Sequence, residues 1–127
     1  MRRYIVVGLL LVLAGCSKNP KNVVQESQIL LNSGKYEEAI QMLEESYKSN
    51  PTLDSLKPAL ANAYLQYGNF LMYKSDLPPQ QKYRKALFEY RRVLAVDPSN
   101  VEAKQNKDLI EGIYRQMGRP IPETPES

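Results

Sequence analysis

Residues 34–51 read GKYEEAIQMLEESYKSNP. Tyr36, Ala39 and Leu43 recur at spacings of three and four, so they share one face of an α-helix. Gly34 before the run and Pro51 after it mark the two ends. The flanking sequence behaves in the same way, because from Val23 onward the apolar positions keep helical spacing and no stretch alternates as a half-buried strand would. The chain is therefore expected to be all-α. Breaks at Ser33-Gly34-Lys35, Ser49-Asn50-Pro51, Ser75 to Pro79 and Asp97-Pro98-Ser99 divide it into five helices. Their expected spans are Asn22 to Asn32, Tyr36 to Lys48, Leu56 to Lys74, Gln80 to Val96 and Val101 to Met117. The third takes Asp54 or Ser55 as its cap and tolerates Pro58 in its first turn. Gly118 and Pro120 end the fifth, and RPIPETPES follows as an extended, disordered tail over 119–127.

Gly34, Tyr36, Ala39, Leu43 and Pro51 resemble the second half of a tetratricopeptide repeat. Upstream, Ser27 and Leu30 stand where that repeat has a small and a large residue, with Val23 in the place of the usual tryptophan. Leu60, Ala61, Tyr64 and Gly68 resemble a second first-helix, and Tyr83, Ala86, Tyr90 and Asp97-Pro98 its partner. Between them lie about thirteen extra residues, LMYKSDLPPQQK among them. The resemblance implies a short helical-hairpin solenoid over 23–118, with repeats at about 20–53 and 54–100 and a capping helix at 101–118. A helix pair cannot bury its own apolar face and stacks on a neighbour. Ala39, Ala61 and Ala86 let helices approach, and Leu43, Tyr64, Leu71, Leu87, Tyr90, Leu94, Ile110, Tyr114 and Met117 are the expected core. Gly68 then sits inside a helix, at about 1 kcal/mol against alanine.

The resemblance also implies where a partner binds. In that family first helices line a concave surface that holds peptides, and register transfers this role to Gln28, Leu31, Asn32, Asn62, Leu65 and Gln66. Side-chain amides there can donate and accept towards a peptide backbone. The family's carboxylate-binding mode is not expected, because Val24 stands where a lysine would be needed. Tyr67 and Tyr73 are candidates for an exposed aromatic contact patch. Lys82, Arg84, Lys85, Arg91 and Arg92 make a basic strip on the fourth helix, open to an acidic partner or anionic lipid, and Glu37, Glu38, Glu44 and Glu45 make an acidic face on the second.

The amino-terminal residues carry a different signal. Arg2 and Arg3 precede eleven apolar residues, Tyr4 to Ala14. As a helix these would span about 16 Å, against a hydrocarbon core of about 30 Å, which suits a cleaved targeting segment better than a membrane anchor. Leu13-Ala14-Gly15-Cys16 resembles the lipobox of bacterial lipoproteins. The resemblance implies a signal peptide at 1–15, lipidation of Cys16 and a polar tether over 16–22. Ser17, rather than aspartate, after the cysteine points to the periplasmic side of an outer membrane if the source has one, and otherwise to the plasma membrane.

Composition narrows the chemistry. The sequence contains no histidine and no tryptophan, and the single cysteine is the lipobox residue, so there is no internal disulfide and no metal-ligand spacing. The net charge of +3 falls to +1 without Arg2 and Arg3, which gives nucleic-acid binding no support. No phosphate-binding glycine loop or nucleophile and base pair is present, and no cofactor is expected. A catalytic role would need perturbed carboxylates in a cleft, with Asp108 or Glu111 as the candidates. The expected function is a non-enzymatic, membrane-anchored protein-interaction scaffold in a bacterial envelope complex, the alternative being a transient chaperone or pilot for an exported component. Two repeats and a cap leave room for self-association.

Overall fold

The computed structural model describes residues 19–126. The expected targeting segment, Cys16 and Ser17 lie outside them. Five helices follow in order: α1 (Pro20–Asn32), α2 (Tyr36–Ser49), α3 (Leu56–Tyr73), α4 (Pro79–Val96) and α5 (Val101–Gln116). No strand occurs among the described residues. α1 opens two residues earlier than expected, so the far end of the proposed tether is helical. Asn19 caps it through Oδ1, which accepts from Lys21 N at 3.1 Å, and Pro20 sits at the first helical position, where its missing N–H is no loss.

The connections follow from local chemistry. Gly34 adopts φ +76° after α1, and Lys35 N donates to Leu30 O at 2.9 Å. This left-handed turn closes the helix and swings the chain back, and a Cβ would strain it. Gly118 repeats the device after α5 with φ +63°, and Arg119 N donates to Tyr114 O at 3.0 Å. Ser55 occupies the N-cap position of α3 but makes no side-chain capping bond, and neither does Asp54; Leu56 N instead donates to Leu53 O at 3.1 Å. Pro79 opens α4 at its first turn. The extra residues of the second hairpin lengthen α3 to 18 residues and form the connection from Lys74 to Pro78.

The helices stack in two layers. α1 and α3 are neighbours in one layer and α5 continues it, joined to α3 by side-chain hydrogen bonds; α2 and α4 form the other. α3 against α4 is the most extensive contact. Ala39, Ala61, Ala86, Leu43, Tyr64, Leu71, Leu87, Tyr90, Ile110 and Tyr114 are buried as expected, and Leu94 is half-buried. Met117 is not in the core: it caps α5, where the helix ends, and is 56% exposed. Gly68 explains itself here, since a Cβ on it would stand 2.9 Å from Cε1 of Tyr90. The Tyr90 ring is fully buried, with its hydroxyl donating to Asn69 Oδ1 at 2.8 Å, so it cannot step aside.

The tail differs from expectation. It has no regular structure, yet Ile121 packs on the core and Arg91 Nη1 donates to Pro122 O at 2.6 Å. Gly118 turns the chain back along α4, and two prolines restrict the segment before it docks.

Gly68→Ala tests the α3–α4 approach. The helix gains about 1 kcal/mol of propensity, but forcing a methyl against a locked ring costs about 1–3 kcal/mol. The expected result is a lower melting temperature by a few degrees, measured by circular dichroism, where an uncrowded helical glycine would give a higher one.

Candidate functional site

On the α1–α3–α5 layer the expected amides meet. Gln28 Nε2 donates to Asn32 Oδ1 at 2.9 Å along α1, and Asn62 Nδ2 of α3 reaches Gln28 Oε1 at 3.4 Å. Gln66 Nε2 donates back to Asn62 Oδ1 at 3.1 Å. The pattern extends to α5, where Asn69 Nδ2 donates to Glu102 Oε1 at 2.8 Å and Asn106 Nδ2 to Asn69 Oδ1 at 3.3 Å. Gln28, Asn32 and Asn62 are exposed. An amide that uses one N–H on its neighbour keeps a second, and its carbonyl keeps a lone pair, so the row is pre-oriented and still able to bond an added backbone.

Two groove residues fall elsewhere. Leu31 is 3% exposed: it continues the stripe of Val23 and Ser27 at spacings of four and belongs to the core. Leu65 is half-buried against the core. The two tyrosines do not form one patch. Tyr67 faces α2, its ring stacked on Tyr36 with centroids 5.5 Å apart and its hydroxyl donating to Glu37 Oε1 at 2.7 Å. Burial first, and the bond to Glu37 second, push its ionisation well above the ordinary tyrosine value. Tyr73 faces α5, is 60% exposed and donates to Asn106 Oδ1 at 3.0 Å.

The charged groups are largely committed to one another. Arg92 pairs with Glu44 across α2 and α4, and its guanidinium lies 4.1 Å from the Tyr64 ring centroid. Arg91 stands 3.6 Å from Glu111 and also holds the tail. The basic strip is therefore interrupted, leaving Lys85 exposed with Lys82 and Arg84 half-buried. On α5 Asp108 lies 3.0 Å from Lys107 and 3.1 Å from Lys104, which hold its carboxyl below the ordinary range, Lys107 most strongly. Glu111 is ion-paired with Lys107 and Arg115 as well. Neither carboxylate named for catalysis lines the cavity between α2 and α4 or the one under the tail, and no group of His, Cys, Asp or Glu suited to a metal occurs among the described residues.

The perturbed carboxylate is one that sequence reasoning missed. Glu89 is 5% exposed beneath an open cavity of about 300 Å³ between α2 and α4, also lined by Glu37, Glu44, Tyr67, Phe88 and Arg92. Its Oε2 has no hydrogen-bond partner. Burial, and after it the Glu37 carboxylate, push its pKa up to about 8. Arg92 acts in the opposite sense, but its 3.3 Å contact to Oε1 is long and its charge is shared with Glu44, so burial prevails. A signal existed, since Glu89 lies three residues after Ala86 and four before Val93 on the buried stripe of α4.

With this geometry in view the first hairpin can be compared with known families. Residues 23–53 match the tetratricopeptide repeat family. The repeat spans α1, α2 and the turn after them, and with the second hairpin and α5 the architecture is a short tetratricopeptide-like solenoid. Tetratricopeptide repeats mediate protein–protein interactions, which supports a protein partner for this chain. No curated protein and no solved structure matches the chain.

Glu89 makes stability pH-dependent. The folded state holds its proton up to about pH 8, while the unfolded state releases it near the ordinary value of 4.5, so folding stability falls as pH rises between the two and is level above. At about 1.4 kcal/mol per pH unit of displacement, the loss is on the order of 5 kcal/mol. Glu89→Gln should melt close to the parent at pH 5 and several degrees higher at pH 9, measured by differential scanning calorimetry. An equal difference at both pH values would contradict the assignment.

Proposed function

We propose that the protein is a membrane-anchored scaffold of a bacterial cell envelope, in which the α1–α3–α5 face holds an extended segment of a partner protein. The carrying observation is the amide row Asn32–Gln28–Asn62–Gln66, which joins two repeats at the register positions where the family binds peptides. An extended peptide exposes backbone N–H and C=O groups alternately, and side-chain amides answer both. Support for the anchor comes from the sequence alone: Arg2-Arg3, the apolar run to Ala14 and Leu13-Ala14-Gly15-Cys16. Acyl chains on Cys16 would bury methylenes at about 0.8 kcal/mol each and confine the repeats to a surface, raising their concentration around membrane-bound partners.

Two variants separate anchoring from recognition. Cys16→Ser should abolish incorporation of labelled palmitate and move the protein out of the membrane fraction. The pair Gln28→Ala with Asn62→Ala should leave the protein on the membrane and its melting temperature nearly unchanged, because both side chains are exposed. With about 1 kcal/mol for each hydrogen bond, capture of the partner found by crosslinking in intact cells should weaken roughly ten- to thirtyfold. A double variant that captures the same partner equally well sinks the groove reading, and a parent that takes up no palmitate, or a Cys16→Ser variant that still takes it up, sinks the lipoprotein reading.

A further inference from the structure

We propose that the outer flank of α4 is a recognition track for an extended, acidic, proline-bearing segment of a partner protein, held in reserve by the protein's own tail. This surface lies on the layer opposite the amide row and is independent of it. Residues 119–126 show how the track works. Gly118 reverses the chain, Ile121 inserts against the core beside Tyr114, Arg91 Nη1 grips the carbonyl of Pro122 at 2.6 Å, and Pro125 reaches the cavity between α2 and α4. The contact to a backbone carbonyl reads chain conformation, not side-chain identity, and a proline-bearing segment meets it with little entropy left to lose.

Charge sets the class of ligand. The tail carries Glu123 and Glu126 and, beyond Arg119, no basic residue. The flank it crosses carries Lys82, Arg84, Lys85 and Arg91, and Glu123 lines the same furrow as Arg84, a cavity of about 490 Å³. An apolar contact with the core for the Ile121 side chain, a carbonyl grip and basic flanks are the three elements of a peptide site. The tail occupies only part of it: Pro125 lies at the edge of the α2–α4 cavity, and that cavity of about 300 Å³ stays open past it. A partner segment of the same chemistry can take the shared positions and turn an uncharged side chain into that space, which Glu37, Glu44 and Glu89 close to an acid and Ile40, Leu71 and Phe88 open to an apolar group, so it gains contacts the tail does not make.

A tethered segment competes at an effective concentration of about 1 mM, which sets the conditions of the test. In the full chain, Cys16→Ser with Glu126→Cys provides one thiol for a fluorophore, and its anisotropy reports whether the tail is docked. The free peptide RPIPETPES should release it, saturably, at low millimolar concentration. The peptide RPIPQTPQS should need at least fivefold more, and Arg91→Ala should leave the label mobile without any competitor. A fluorescein-labelled RPIPETPES should bind a chain ending at Gly118, shown to be folded by circular dichroism, at least tenfold more tightly than it binds the full chain. A label as mobile in the parent as in Arg91→Ala, no release at 10 mM peptide, or equal potency of the two peptides overturns the proposal. A concentration-dependent dimer that vanishes on removing 119–127 also overturns it, by giving the track to the tail of a second copy.

Discussion

The contact between Gly68 and Tyr90 is the constraint on which the remaining packing rests. A glycine inside an 18-residue helix gives up about 1 kcal/mol of helix propensity, and the return is a backbone close enough to cover an aromatic ring. The ring then fixes more than one neighbour. Its hydroxyl reaches Asn69 and lies 3.6 Å from Met72 Sδ, and burial holds it un-ionised far above the ordinary tyrosine range. Asn69 in turn binds Glu102 and Asn106 of α5. The α3–α4 hairpin and the capping helix are thus locked by one side chain. With α3 fixed, its remaining faces receive α1 and α2, and the amide row and the stacked Tyr36, Tyr67 and Phe70 form where they do.

The second constraint is electrostatic. α2 and α4 each present charge to the cleft between them, and Arg92 reconciles them by pairing with Glu44 and Glu89 while lying over Tyr64 and Phe88. A planar guanidinium can do this because it stacks and donates at once, which an ammonium cannot. The cleft nevertheless keeps one carboxylate oxygen without a partner, a group whose ionisation opposes folding as pH rises from about 4.5 to about 8. A cleft that tolerates such a group is less tightly packed than the Gly68–Tyr90 seam, and it is on this looser side that the tail arrives.

How much of this the sequence made legible depends on the kind of signal. Gly34, Ala39, Leu43 and Pro51 announce a hairpin because turn chemistry and helical period are local, and they suffice for the repeat. Gln28, Asn32, Asn62 and Gln66 were placed on one face by register, and register carries across a helix of known handedness. The same transfer misplaced Leu31, although the stripe of Val23 and Ser27 pointed inward; direct periodicity was the stronger guide. Glu89 was overlooked because a charged residue in KYRKALFEYRR reads as solvated unless its stripe is traced. The docked tail had no local signal at all, since proline content predicts an extended chain and only the tertiary position of Arg91 and Tyr114 decides whether it finds a surface.

The early start of α1 constrains how an acylated form would sit. Only three residue steps separate Cys16 from Asn19, the cap of the helix, and a fully extended chain covers about 3.5 Å per residue, so a lipid attached at Cys16 would lie within about 10 Å of the first turn. A long flexible linker would let the domain tumble over the membrane, and its effective concentration would be spread over many orientations. A tether this short would hold the amino end of α1 at the headgroups of the proposed membrane. Since α1 contributes Gln28 and Asn32 to the amide row, that row would begin close to the surface and run away from it through α3, while the flank of α4 and the tail along it belong to the other layer. The two candidate surfaces would then meet partners from different directions, one beside the membrane and one facing outward from the repeat stack.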